Sequence, residues 1–527
     1  MEEKKFTKSL ILFISFIEGG AVMFTELIGA KVVAPFFGTS LYVWSSALGI
    51  TLGSLAIGYY SGGVISKKMK NLNLLLYLFM IAGFLILLIP FSGKWIMLNT
   101  IDMSVQTGVT ISMLVFLAPP LVICGMMSPM IINYLTDQAK MSGRISGLVY
   151  SVSTLGGILF TYLTGFYLLP VFGIIKPTII FGTLIIFMGL ILLLLNKKYL
   201  SLTMLLILIL FNPFSKLKKP EITQNAYYVI LYDSEGLLGQ VKVIEYMYQT
   251  FERGAKRARG LLVNNTGQTI MDVANPQYSL WDYSFFFPNA ASIYPEKSDA
   301  LILGLGGGTL YKQFERLKFN IDVVELDERI RDVAFKYFAV DKKANIVIDD
   351  ARHYLMTSDK KYDVITFDLF LSETPPSHLL TVECFERVNE LLNEKGMLMI
   401  NFYGFLTGDI GIASRSVYAT LKESFKYVDI CATPAKDEHS RNLIFIASQS
   451  DLDFTNTNYS EPDLTVVTNL EKYFVNTSEI DFSDAMVLTD DCPVLENLYL
   501  DAAIEWRKSS NKIYCENFIK QNIQLFK

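Results

Sequence analysis

The stretch LILGLGGGTLYKQFERLKFNIDVVELDE, residues 301–328, decides the fold of the second half of the chain. It reads as an apolar strand, a glycine-rich turn, a helix and a second strand that ends in acids. Gly304, Gly306, Gly307 and Gly308 permit a turn in which no side chain blocks the close approach of a ligand. At the end of the second strand, Glu325 offers two oxygens that can accept hydrogen bonds from two ribose hydroxyls. Many nucleotide-binding folds share this pattern, NAD sites among them, so its meaning depends on what surrounds it.

Downstream, apolar runs alternate with amphipathic ones: ALILGL, IDVVEL, ANIVID, YDVITFD, GMLMINF, YVDICAT and NLIFIAS. That alternation predicts a doubly wound parallel sheet, whose ligand lies beyond the carboxyl ends of the strands. Asp350 follows the third strand in IDDARHYL, and Asp368 follows the fourth in ITFDLFLSETPPSHLLT. A dinucleotide site needs no carboxylate at both places. An adenosyl sulfonium site can use one at the adenine amino group and another near the reacting centre. The competing reading of Asp349 or Asp350 is a cap on the helix that follows. His353 reads as packing or surface, and His439 falls in a polar loop. Upstream, residues 226–270 hold short β-rich runs between turn residues, which predicts a small antiparallel sheet.

The first half is of another kind. Of 527 residues 51% are hydrophobic, more than one soluble domain needs. Apolar runs at about 7–33, 40–66, 71–92, 107–136, 145–170 and 174–196 each approach the ~20 residues that ~30 Å of hydrocarbon requires, so six spans are expected. A seventh run at 199–211, YLSLTMLLILILF, is short enough for a re-entrant or interfacial helix. Lysines and arginines gather on alternate connections, at Lys4, Lys5, Lys8, then Lys67, Lys68, Lys70, then Lys140, Arg144, then Lys197, Lys198. The positive-inside rule then puts the N-terminus in the cytosol. Lys216, Lys218 and Lys219 after the seventh run favour a cytosolic soluble domain as well. The first segment is too long for a cleavable signal peptide.

Small residues recur at Gly49, Gly53, Gly58 and Gly62 and at Ser153, Gly157, Thr161 and Gly165, stripes that suit close helix packing. Pro119 and Pro120 predict a kink. Glu18 and Glu26 fall in the first span, where a carboxylate faces either a cationic ligand in a polar cavity or a hydrogen-bonded structural environment. Residues 1–215 hold 13 Lys+Arg and 6 Asp+Glu, leaving 33 of the 46 basic and 45 of the 51 acidic residues for the rest. An acidic soluble half argues against a nucleic-acid partner. Five cysteines without ligand spacing and three histidines predict no metal site.

Taken together, LGLGGGTL, VVELDE, DDARHYL and YDVITFDLF, with GQVKVIE and VNNTGQT upstream, resemble the spermidine synthase family of class I S-adenosylmethionine-type transferases over about residues 226–450. The first half, with SHLLT at 377–381 and LTDDCPVLENL at 488–498, resembles membrane-fused members of that family. The fold this implies is an α-helical multi-pass membrane domain fused to an α/β Rossmann-like class I methyltransferase-type domain with a small N-terminal β-subdomain. The divisions expected are residues 1–215, 216–297 and 298–527.

The resemblance implies decarboxylated S-adenosylmethionine as donor and a putrescine-like amine as acceptor, without a metal. It places Gln240 and Gln268 on the donor and its transferable arm, with Gly304, Gly306 and Gly307 at the turn, Glu325 on the ribose and Asp350 on the adenine. Polyamine-making members carry a second aspartate three residues after the position of Asp368, and this chain has Leu371 there. Beside Asp368, Glu373 and His378 are therefore candidate bases, and Tyr283, Asp490 and Asp491 candidate acceptor contacts. The departure leaves S-adenosylmethionine-dependent methyl transfer on the same fold open, as well as a transporter or sensor whose synthase-like domain does not turn over. A lipid bilayer and a small amine are the expected partners, with homodimers common in the resembled family.

Overall fold

The computed structural model describes the chain except for residues 1–6, 39, 69–71, 137–141, 212–227, 251–253, 370–374, 435–439, 456, 458, 460–469, 493, 509–511, 521–524 and 527. It divides into two compact units. One holds residues 1–223, 234–240 and 515–527, the other residues 224–233 and 241–514.

The first unit is a helix bundle. Its elements are α1 (Lys8–Phe37), α2 (Leu41–Lys68), α3 (Leu72–Thr100), α4 (Val105–Phe116), α5 (Ala118–Leu135), α6 (Ser142–Leu163), α7 (Leu169–Phe172), α8 (Ile175–Leu195) and α9 (Leu202–Phe211). Thr7 caps α1, its hydroxyl accepting from the Leu10 N–H. Six helices are long and apolar enough to cross a membrane, α6 counted together with α7, to which a π turn at Thr164–Leu168 joins it. The run expected as one span at 107–136 is instead two helices broken at Leu117. Pro119 and Pro120 stand in the first turn of α5, where their missing N–H groups cost least. Over the described residues α9 has ten residues, about half the length a crossing requires.

Close crossings follow the small residues, though not the whole of either stripe. A Cβ on Gly58 would sit 2.5 Å from the Val122 carbonyl oxygen of α5, and one on Gly62 2.3 Å from that of Met126. A Cβ on Gly49 or Gly53 would meet nothing within 4 Å, so among the described residues that half of the stripe makes no close crossing. The tightest point lies beside the second stripe, where a Cβ on Gly156 would stand 1.9 Å from the Phe16 carbonyl oxygen of α1. Lys31 of α1 is buried, and its ammonium donates to the carbonyls of Gly236 at 3.0 Å and Leu237 at 2.6 Å.

The second unit begins with a four-stranded antiparallel sheet, β1 (Tyr228–Ser234), β2 (Val241–Thr250), β3 (Gly254–Val263) and β4 (Thr266–Asp272), in that order. Asn264 and Asn265, with φ of 51° and 59°, make the two-residue turn between β3 and β4, the left-handed pair that matches strand twist. Then come α10 (Phe286–Ala291), β5 (Asp299–Leu303), α11 (Thr309–Arg316), β6 (Asn320–Glu325), α12 (Glu328–Tyr337), β7 (Asn345–Ile348), α13 (Ala351–Thr357) and β8 (Tyr362–Phe367). They are followed by α14 (Val382–Leu391), β9 (Leu392–Gly404), α15 (Ile412–Ser424), β10 (Tyr427–Ala432), β11 (Arg441–Ser448), α16 (Leu495–Leu498) and α17 (Leu500–Trp506), with α18 (Lys512–Lys520) near the end of the chain.

The seven strands from β5 onward form one sheet in the order β10-β11-β9-β8-β5-β6-β7. The five strands β5 to β9 pair in parallel. The sheet is not parallel throughout: β11 runs antiparallel to both β9 and β10. Alternate residues feed cores on opposite faces, Leu301 and Leu303 on one and Ala300 and Ile302 on the other. Arg259 of β3 donates to Glu245 of β2 and to the Tyr337 carbonyl at the end of α12, tying the small sheet to the large one.

Overpacking predicts that Gly156→Ala lowers the thermal midpoint in detergent micelles, at a cost of ~1–3 kcal/mol. Gly147→Ala on the same helix meets open space and should be neutral or slightly stabilising. Circular dichroism melting of both variants checks this, and equal effects would contradict the close crossing of α1 and α6.

Candidate active site

The glycine turn after β5 is built by conformation as much as by size. Gly304, Gly306 and Gly308 have φ of 91°, 52° and 70°, a region that side chains strain to enter. A Cβ on Gly304 would lie 2.3 Å from the Asp368 carbonyl oxygen, so the ends of β5 and β8 meet backbone to backbone. Beneath the turn stands Thr269 of β4. Its hydroxyl accepts from the Gly307 N–H at 2.8 Å, and its methyl group would be 2.6 Å from a Cβ on Gly307.

Glu325 ends β6 and closes the turn from the other side. Its Oε2 accepts from the Leu305 N–H at 3.0 Å and its Oε1 from the Asp327 N–H at 2.9 Å. Burial raises its pKa, and those backbone donors oppose the rise. The Gly306 backbone also acts on this carboxylate, whose roughly four lone-pair sites still leave room for a further donor. Asp350 caps α13: its Oδ1 accepts from the Arg352 and His353 N–H groups. Its Oδ2 lies 3.8 Å from His378 Nε2. The capping reading and a ligand role are thus compatible, because they use different oxygens. Asp349 is occupied otherwise, its Oδ1 accepting from the Asp350 N–H and its Oδ2 lying 2.7 Å from His353 Nδ1.

Asp368 follows β8. The Tyr283 hydroxyl donates to its Oδ2 at 3.3 Å and the Asn401 amide to its Oδ1 at 2.9 Å. Asn442 in turn donates to Asn401 Oδ1 at 2.9 Å, which fixes the orientation of that amide. Burial raises the pKa of Asp368, while both hydrogen bonds lower it. Burial and the neighbouring Asp368 charge push Tyr283 well above the ordinary phenol value, so it stays a donor.

The other expected site residues divide. Gln268 sits beside Thr269, and its Nε2 is buried without a hydrogen-bond partner among the described residues. Gln240 is 1% exposed and belongs to the segment 234–240 of the helical unit. His378 is exposed, its carbonyl accepting from Arg352. Asp490 has both oxygens engaged, with Arg352 at 2.6 Å and the Thr381 hydroxyl at 2.7 Å, while its own N–H donates to Glu383. Asp491 is exposed. Glu373 and Leu371 lie outside the described residues, as does His439. Thr269, Asn401 and Asn442 were missed. Asn401 could have been found, since it stands toward the carboxyl end of β9 in MINF, where ligand-facing residues collect.

This site occupies the carboxyl edge of a sheet whose strand order and reversed penultimate strand define the class I methyltransferase-like α/β fold. Within it, residues 289–458 match the spermine/spermidine synthase domain, so the chain carries a domain of that kind. Among curated proteins, a probable polyamine aminopropyl transferase of Bifidobacterium longum is 38% identical over 116 residues, 21% of this chain and 26% of that protein. A polyamine aminopropyltransferase of Vibrio vulnificus is 33% identical over 116 residues, 21% of this chain and 39% of that one. An N-terminal histidine N-methyltransferase of Emericella nidulans is 28% identical over 162 residues, 29% of this chain and 28% of its own length. The chain thus spans well under half the length of these relatives.

The turn chemistry predicts that Glu325→Gln destabilises the second unit by ~1–3 kcal/mol, because one amide group must then face a backbone N–H. Thermal melting checks this. An unchanged midpoint would mean that the two backbone bonds are not made.

Proposed function

We propose that the chain is a spermidine synthase-like transferase that moves an aminopropyl group from decarboxylated S-adenosylmethionine to a primary amine of the putrescine class. The observation that carries this reading is Asp368, a half-buried carboxylate held by Tyr283 and Asn401 beside the glycine turn. The match to the spermine/spermidine synthase domain supports aminopropyl over methyl transfer. The methyl-transferring reading is the second one, favoured by the likeness to the Emericella nidulans methyltransferase.

Two features fit the donor. The Gly304–Gly308 turn is a cradle that a Cβ would fill, and the Gln268 amide is a buried donor in want of an acceptor. In this reading Glu325 takes the ribose hydroxyls, Asp350 Oδ2 the adenine amino group, and Gln268 the transferable arm. The acceptor nitrogen forms the new C–N bond as the sulfonium C–S bond breaks, leaving a neutral thioether. The proton released from nitrogen passes to Asp368, whose burial makes it a better base than an ordinary aspartate. Asn401 is a positioning residue, and Glu373 and His378 are further acids or bases for the acceptor. Asp490 acts through Arg352, ordering the segment that carries His378, and Asp491 lies at the rim.

The six long helices are proposed to cross the bilayer with the N-terminus cytosolic. Six crossings return the chain to the cytosol, which puts the transferase domain there.

Three outcomes follow. Calorimetric titration should show decarboxylated S-adenosylmethionine binding more tightly than the carboxylated form, with Gln268→Ala weakening it about tenfold; a preference for the carboxylated form would favour methyl transfer. Because only the carboxylate form of Asp368 accepts a proton, activity should fall as pH drops through its raised pKa. Asn401→Ala removes a bond that lowers that pKa, so the acid limb of kcat/KM should move to higher pH, and a limb that stays in place contradicts the assignment. Cys492 is exposed while the other four cysteines are buried. An impermeant maleimide should therefore label it only after cells are opened; labelling of intact cells would place the domain outside.

A further inference from the structure

The bundle contains a carboxylate that the transferase reading does not use. Glu18 of α1 is 2% exposed, and both of its hydrogen bonds fall on one oxygen. Ser128 of α5 donates to Oε2 at 3.2 Å and Ser153 of α6 at 3.1 Å. Oε1 accepts no hydrogen bond among the described residues. Among the described residues no cation pairs with it. Lys31 lies 13 residues further along α1, roughly 20 Å by helix rise, and is engaged with the Gly236 and Leu237 carbonyls. The titratable groups within reach of its charge, Tyr59 of α2 and Cys124 of α5, are themselves acids. A carboxylate in this setting is costly to leave without a partner.

The chemistry of the free positions is specific. Ser128 and Ser153 spend their hydrogens on Glu18, so their oxygens keep lone pairs. With Glu18 Oε1 they supply three acceptor oxygens from α1, α5 and α6, and an ammonium group has three N–H donors to offer them. Three oxygens fall short of the six or more that a calcium ion takes or the octahedron of magnesium. No group of three His, Cys, Asp or Glu side chains able to hold a metal occurs among the described residues.

Access runs along two helices. Each is only 28% buried over its most apolar stretch, less than the other long helices. They are α2 and α6, and both pack on α1 and α5. Tyr59 on α2 and Tyr150 on α6 lie near each other and are 38% and 46% exposed, while Ser153, one turn from Tyr150, is half-buried. Two aromatic rings thus rim the approach to the carboxylate, a setting that attracts a protonated amine.

We propose that Glu18, Ser128 and Ser153 form a binding site for a protonated primary alkylamine within the helix bundle, entered between α2 and α6. The site is separate from the transferase centre and goes beyond the activity proposed for it.

The test is equilibrium binding of radiolabelled 1,4-diaminobutane to the full chain in detergent micelles, without donor. The expected result is one saturable site that Glu18→Gln abolishes or weakens by at least about thirtyfold. Ser153→Ala should weaken the same site by about tenfold. Any site that survives Glu18→Gln should instead respond to Asp368→Asn. Equal binding by Glu18→Gln and the parent chain would overturn the proposal. Should Glu18→Gln not fold, Ser153→Ala binding the diamine as tightly as the parent would overturn it equally.

Discussion

The candidate site depends on one approach of backbone to backbone, that of Gly304 to the carbonyl of Asp368. No side chain fits in that gap, so the residue must be glycine, and its positive φ turns the chain away from the sheet. Once the gap is closed, the ends of β5 and β8 lie side by side. The carboxylate of Glu325 can then reach back to the Leu305 N–H, and Thr269 can support Gly307 from below. A half-buried carboxylate and a cradle of backbone are consequences of how the strands finish, and the Gln268 Nε2 beside them has no hydrogen-bond partner among the described residues.

Electrostatics then separates the acids by task. Asp350 and Glu325 each spend backbone hydrogen bonds on local structure and keep further lone pairs. Among the described residues the Asp368 carboxylate accepts from side chains alone, those of Tyr283 and Asn401. Asp490 is consumed by Arg352 and Thr381, which is a structural use of an acid whose motif suggests an acceptor contact. The same distinction applies in the bundle, where Lys31 donates to two carbonyls and Glu18 accepts, among the described residues, on one oxygen.

Much of this was legible in the sequence because it rests on local periodicity. The seven strands, the glycine turn and the positions of Glu325, Asp350 and Asp368 follow from alternation and from the rule that ligands gather at carboxyl ends. What was not legible depends on tertiary registration. The reversal of β11 follows from which strands pair, which a strand pattern does not encode. Thr269 and Asn401 matter through partners 38 and 33 residues away. Small-residue stripes told which helices can approach closely but not where they do: Gly156 meets α1, whereas Gly49 and Gly53 meet nothing. The break at Leu117 was foreshadowed by two prolines, yet a kink and a division into two helices share that signal.

The most direct measurement is mass analysis of the products formed when the purified full chain is incubated with decarboxylated S-adenosylmethionine and 1,4-diaminobutane. The account predicts a diamine enlarged by one aminopropyl group, together with the thioether that the donor leaves behind. A methylated amine formed only from the carboxylated donor, or an unchanged diamine with both donors, would contradict it.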